Sequence, residues 1–312
     1  MASVMSELNR KGGTTKLREL LRNGTFVTIA AEIMLLGRSR KALELANLAG
    51  QMKVQKKLRK RYSSLIEKTE GKTDSKRTVN KTVWLSWLQG MDNAPMVVQK
   101  CYESVKEQFG DWNIVVITSE NYKDYTDFPQ YILDKVGSGI ITRTHFSDLL
   151  RIELLSKNGG LWLDATVYCT GRLPEDILFT DFFVYQSLKP GHTGHSVRLS
   201  SWLMWSVPNA YVIEQTKKLL WNYWQTENKM FDYFLLHHFM TMVLDENPDE
   251  AIKILPVSNT ESHVLLLRLF EEFDPLTWEF IKKQVEFHKL TYKFDNEETI
   301  KRGTYFEHLF LD

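Results

Sequence analysis

Apolar residues recur at helical spacing through the first part of the chain. Leu17, Leu20 and Leu21 mark a first helix, with Gly24 placed to stop it. A second helix is predicted from about Thr28 to Leu36. A third, from Ser39 to about Lys68, carries Leu43, Leu45, Leu48, Met52, Val54 and Leu58 among many Lys and Arg. Glu70-Gly-Lys-Thr-Asp-Ser-Lys-Arg77 is polar and turn-rich and reads as a linker. The texture then changes. Val79 to Trp87 predicts a strand, Gln89 to Pro95 a loop, and Pro95 suits the first turn of a helix running to Phe109. Ile114 to Thr118 is a short apolar strand. Thr144 to Lys157 is helical, closed by Asn158-Gly159-Gly160, and Leu161 to Asp164 is the next strand. Strands alternating with helices across short loops predict an α/β sheet with substantial parallel pairing. Beyond residue 179 the pattern reads as mostly helical and Trp-rich. The expected division is a helical extension, 1–77, and an α/β domain, 78–312.

Composition adds little until charge is mapped. With 43% apolar and 25% charged residues, wholesale disorder is excluded. The formal charge of +1 conceals a split. Residues 1–77 hold 18 basic and 7 acidic side chains, a local +11, whereas 78–312 hold 22 and 32, a local −10. Three readings suit the basic extension: packing on the α/β domain, docking of residues 1–69 on an anionic membrane surface, and nucleic-acid binding. No nucleic-acid module accompanies the charge, so nucleic acid is not an expected partner. The start shows no apolar stretch of the secretory kind, and the run from Phe26 to Leu36 is about half the ~20 residues that span a bilayer. Cys101 and Cys169 lack metal or disulfide-framework spacing. A cytoplasmic location is expected, with peripheral attachment to the inner face of the plasma membrane as its extension.

The chemistry concentrates in Phe146 to Thr166, where a helix, two glycines and a strand follow in register. Asp148 and Arg151, three apart, share one helix face. Asp164 and Thr166 fall on one side if the strand stays extended. Ligands of open α/β sheets bind at the carboxyl ends of strands. A carboxylate there can hold a divalent cation that bridges a diphosphate. Either pair alone is usually structural; the ordered combination is the specific signal. Elsewhere, Trp202 and Trp205 follow the Gly/His-rich stretch 190–195 and are candidate acceptor platforms, whereas the spacing of Trp221 and Trp224 favours core packing. Asp232 is a candidate base or acceptor-positioning acid. Adjacent His237 and His238 cannot share a helix face as a two-His metal site.

The pattern Ser147-Asp-x-x-Arg151, then Leu155-x-x-x-Gly159-Gly160-x-Trp162-x-Asp164, resembles sugar-nucleotide glycosyltransferases of the GT-A fold. It looks closest to bacterial capsular polysaccharide synthesis glycosyltransferases, over roughly residues 78–310. The resemblance implies a Rossmann-like sheet flanked by helices, in which the strand Trp84–Gln89 (Trp84, Ser86, Trp87, Gln89) receives the nucleotide. It implies that Asp148 and Arg151, with neighbouring Ser147, contact sugar, ribose or phosphate oxygens. Gly159, Gly160 and Thr166 join this substrate-binding set. Asp164, with Thr166, would hold manganese or magnesium, and Lys289, with His288, would reach the diphosphate. Asn228 to His238 would form the middle helix and His288 to Lys293 the closing segment. Thr166 departs from the commoner second acid, and a neutral hydroxyl is a poorer ligand for a hard cation. The implied reaction moves a hexose from a UDP-sugar to a saccharide acceptor, undecaprenyl- or otherwise lipid-linked, with retention. The alternatives are a sugar-phosphate transferase using the same site and a non-catalytic scaffold that binds nucleotide or glycan in a polysaccharide-assembly complex.

Overall fold

The computed structural model describes residues 20–21, 24–37, 39–68, 79–188, 197–294 and 296–311. The predicted first helix, the linker after Glu70 and the 190–195 stretch lie outside them, apart from Leu20, Leu21 and Gly24. Helices α1 (Phe26–Leu36) and α2 (Arg40–Tyr62) pack as a hairpin, α2 starting where the Ser39 hydroxyl accepts from the Ala42 amide at 3.2 Å. The α/β core then alternates β1 (Thr82–Ser86), α3 (Met96–Gln108), β2 (Asn113–Ile117), α4 (Arg143–Asn158) and β3 (Gly160–Leu163). A short β4 (Val167–Cys169) precedes β5 (Phe182–Gln186), β6 (Leu199–Ser206), α5 (Tyr211–Thr226), α6 (Leu235–Glu246), α7 (Pro275–Gln284) and β7 (Phe287–Lys289).

The main sheet has the order β2-β1-β3-β6-β5. Strands β1, β2 and β3 are parallel; β6 runs antiparallel to both β3 and β5, so four of the five strands point one way. Alternating side chains divide the interior. Trp84, Trp162, Met204 and Val184 face α4, α5, α6 and the end of α2. Val83, Leu85, Leu161, Leu163, Leu203 and Phe183 face Val105 and Phe109 of α3, and Phe287. Helix α2 adds Val54, Leu58 and Tyr62 to the first of these layers, with Tyr62 packed edge-on against Phe239.

The expectation of a mostly helical region after residue 179 is corrected by β5 and β6. All eight residues of β6 are buried, so Leu-Ser-Ser-Trp-Leu-Met-Trp-Ser shows no polar alternation; a strand covered on both faces hides its period. The middle helix also starts later than Asn228, at Leu235.

Two glycines make the α4-to-β3 turn possible. Gly159 and Gly160 have φ of 66° and 104°. A Cβ on Gly160 would lie 2.6 Å from the Thr82 carbonyl oxygen, and one on Gly159 would lie 2.8 Å from that of Ser206. Their conformation lets β3 dock directly between β1 and β6. Asp164 is thereby delivered at the carboxyl end of β3.

Candidate active site

Helix α4 begins with Thr142, whose hydroxyl accepts from the His145 amide at 3.3 Å. From there His145, Asp148 and Arg151 follow at three-residue intervals on one buried face. Arg151 organises the centre. Its Nη2 lies 3.4 Å from Asp148 Oδ1 and 3.2 Å from Asp164 Oδ1, while Nη1 donates to the Ser201 carbonyl at 2.6 Å and the Ser201 hydroxyl at 2.5 Å. Its Nε donates to the Ser147 carbonyl at 3.4 Å, and its guanidinium lies over the Trp162 ring, 5.0 Å from the centroid. Trp162 in turn donates its indole N–H to Asp164 Oδ1 at 3.1 Å. Arg151 is thus surrounded by partners from its own chain and joins two carboxylates, rather than extending a free charge into solvent.

Asp164 is the more accessible acid. Its Oδ2 faces Lys289 Nζ at 3.6 Å, and the same ammonium donates to the Thr166 hydroxyl at 2.6 Å and the Leu290 carbonyl at 3.1 Å. The extended conformation does not continue past β3, because Val167 N–H closes a turn onto the Asp164 carbonyl at 3.0 Å. Asp164 and Thr166 are brought together instead by Lys289, supplied by β7 through its pairing with Val167.

Asp148 is buried between opposing influences. Burial disfavours its charge, but the Arg151 guanidinium and the His145 hydrogen bond, Nδ1 to Oδ2 at 3.1 Å, outweigh that and hold the carboxyl below its ordinary range. Behind it, the Trp224 indole donates to His145 Nε2 at 2.9 Å. Above the acids lie Tyr233 and His237. The Tyr233 phenol is raised by burial and by the Asp148 and Asp164 charges. Burial pushes His237 down to about 4, against the pull of Asp148, and its Nδ1 has no hydrogen-bond partner.

Several predicted positions fall elsewhere. Trp84 is not a nucleotide contact: its buried indole donates to the Gly159 carbonyl at 2.8 Å, beneath the glycine turn. Trp205 is fully buried, donating to the Thr180 carbonyl at 3.0 Å, and Trp202 stacks on Tyr185 while donating to Asn259, so neither offers a ring to an acceptor. His288 is turned away from Lys289, as strand alternation requires, onto Trp278 and the Thr170 hydroxyl. Asp232 caps the Phe234 amide at 2.8 Å and lies 3.3 Å from Nε2 of buried His238. Trp87 does reach the site's edge, packed with Ala165 and edge-on to Tyr292; Ser86 is half-buried at the end of β1, and Gln89 is exposed beyond it.

The side chains present do not by themselves form a full cage for a divalent cation. Asp164 offers one carboxylate and Thr166 one hydroxyl, and the ammonium of Lys289 already contacts both. A hard cation wants six or more oxygens, so one held by Asp164 would draw most of them from water and the substrate's phosphates. Among the described residues no group of three His, Cys, Asp or Glu is arranged to bind one. His145, Ser201 and His237 carry the site without having been singled out as site residues. His145 was within reach at the same three-residue spacing that links Asp148 to Arg151. Ser201 was not, since only the sheet order brings it near.

The fold and site define an α/β protein with a buried carboxylate–arginine pair and a lysine-bridged acid at a parallel strand's carboxyl end. The chain belongs to the capsular polysaccharide synthesis protein family, which matches residues 40–309. It is similar to the O-glycosyltransferase braB of Annulohypoxylon truncatum, 31% identical over 97 residues, spanning 28% of this chain and 23% of that relative's length. Among solved structures, PaToxG Glycosyltransferase matches with TM-score 0.38 and 16% identity over 76% of this chain and 93% of that one. A glycosyltransferase involved in the glycosylation of the major capsid of PBCV-1 gives 0.37 and 13%, over 73% and 98%.

Proposed function

We propose that this chain is a glycosyltransferase that moves a hexose from a UDP-sugar to a saccharide acceptor, lipid-linked, in surface-polysaccharide assembly. The supporting observation is the convergence of Asp148, Arg151, Asp164 and Lys289 at the carboxyl end of the central strand β3, in a chain of the capsular polysaccharide synthesis family. In this reading Asp164 accepts hydrogen bonds from donor-sugar hydroxyls. Arg151 holds Asp148 and Asp164 side by side. Lys289, held by Thr166, leans toward the departing diphosphate and offsets the charge that develops as the anomeric C–O bond breaks. Retention of anomeric configuration belongs to the same proposal.

The experiment is UDP release over a panel of UDP-hexoses with wild type, Asp164→Asn and Lys289→Met. One donor should be consumed by wild type. Both variants should fall by two to three orders of magnitude while staying folded, comparable to the loss of a key transition-state contact. Release of intact sugar-1-phosphate would replace the reading with phosphosugar transfer. Activity that persists in EDTA supports charge stabilisation by Lys289. Loss that manganese or magnesium restores would return a cation to the diphosphate.

A further inference from the structure

Helix α1 departs from the rest of the fold in one respect. Phe-Val-Thr-Ile-Ala-Ala-Glu-Ile-Met-Leu-Leu is almost wholly apolar, yet none of its 11 residues is buried. Val27, Met34 and Leu35 are 73%, 85% and 80% exposed. A surface helix of a water-soluble fold normally turns its apolar stripe inward. Here the inward face is narrow: Thr28 accepts from Lys53 Nζ at 3.0 Å, and Ile29 seats on Gly50, where an added Cβ would come within 3.1 Å. The opposite face, Val27, Ala31, Met34 and Leu35, is presented to the outside.

Helix α2, packed against α1, carries exposed lysines of its own. Lys41, Leu45, Met52, Lys56 and Lys60 are all exposed and fall within one arc of the helix, Leu45 and Met52 lying between the basic positions Lys41 and Lys56. The hairpin is anchored from below. Arg59 reaches Asp245 and Glu246 at 2.5 and 2.9 Å, and Val54, Leu58 and Tyr62 enter the core. Among the described residues no helix is long and apolar enough to cross a bilayer. At 1.5 Å per residue α1 is about 16 Å long, which suits a helix lying in the interface.

We propose that the α1–α2 hairpin docks this protein on an anionic phospholipid surface, with Met34 and Leu35 entering the acyl boundary and Lys41, Lys56 and Lys60 meeting phosphates. The combination selects the occupant: apolar side chains gain by leaving water for lipid, and exposed lysines can keep their charge at the headgroups. The inference does not depend on the transferase reading.

The test is flotation of the full chain with vesicles of phosphatidylcholine alone or mixed with phosphatidylglycerol. The chain should float with the anionic vesicles, less so as salt rises, and stay behind with the neutral ones. Met34→Glu/Leu35→Glu and, separately, Lys56→Glu/Lys60→Glu should each lower the bound fraction about tenfold or more. All four positions are solvent-facing, and unchanged circular dichroism and thermal transitions check that both variants fold. Absence of flotation, or equal flotation by both variants, overturns the proposal. So does a dimer in sedimentation that Met34→Glu/Leu35→Glu dissolves without any vesicle binding; the face would then be covered by a second copy.

Discussion

The tautomer of His145 follows from one neighbour. An indole N–H can only donate, so the Trp224 contact makes Nε2 the lone-pair nitrogen and places the proton on Nδ1, pointing at Asp148. Trp224→Phe keeps the ring but removes that donor, leaving a buried acceptor unsatisfied. The expected cost is about 1–2 kcal/mol of stability in urea denaturation, with a lower kcat and a smaller change in KM. Two other histidines set an acid limit. Burial pushes His288, like His237, down to about 4, whereas an unfolded histidine titrates near its ordinary 6.5. Between those values the unfolded chain binds more protons, so stability is complete above about 6.5 and declines as pH falls toward about 4. For fully buried His288 the loss is on the order of 3 kcal/mol. Denaturant midpoints measured from pH 7 to pH 4.5 should fall, and more shallowly in His288→Asn. Asp148 contributes in the other range: its lowered carboxyl supports the fold above its unfolded value and ceases to do so only at more acidic pH.

At the scale of elements, the glycine turn was the most legible feature and the reversed strand the least. Gly159-Gly160 stands between a helical period and an apolar run, and both glycines adopt φ values that other residues rarely take. Gly160→Ala should therefore cost more than about 2 kcal/mol, read from the denaturant midpoint, because strain and a clash with the Thr82 carbonyl add. Strand β6 left no such trace. Its serines interrupt the apolar run, yet Ser201 bonds to Arg151 and Ser206 is wholly buried. Periodicity reports burial on one face, and β6 is covered on two. Asp148, Arg151 and Asp164 were legible because the pattern is local. The Lys289 bridge to Thr166 needed β7, more than a hundred residues on, to pair with β4.

Across the whole molecule, the charge split marks two surfaces more than two folding units. Helix α2 lies within the family match and inside the larger core layer, so the basic segment is not a detachable appendage along its full length. Truncation tests this directly. Removing residues 1–38 should leave the thermal transition within a few degrees, because no residue of α1 is itself buried. Removal through Tyr62 strips Val54, Leu58 and Tyr62 from Phe239 and its neighbours and should lower it by ten degrees or more, since such losses cost several kcal/mol. The one antiparallel strand has a further effect. Because β6 runs backwards, its beginning lies where its neighbours end, and Ser201 meets Arg151 across 50 positions of sequence. A substitution at Ser201 is thus felt at the carboxylates of α4 and β3 through Arg151. On the proposed reading, the entrance to β6 is where a preference among sugars would be tuned without refolding the framework.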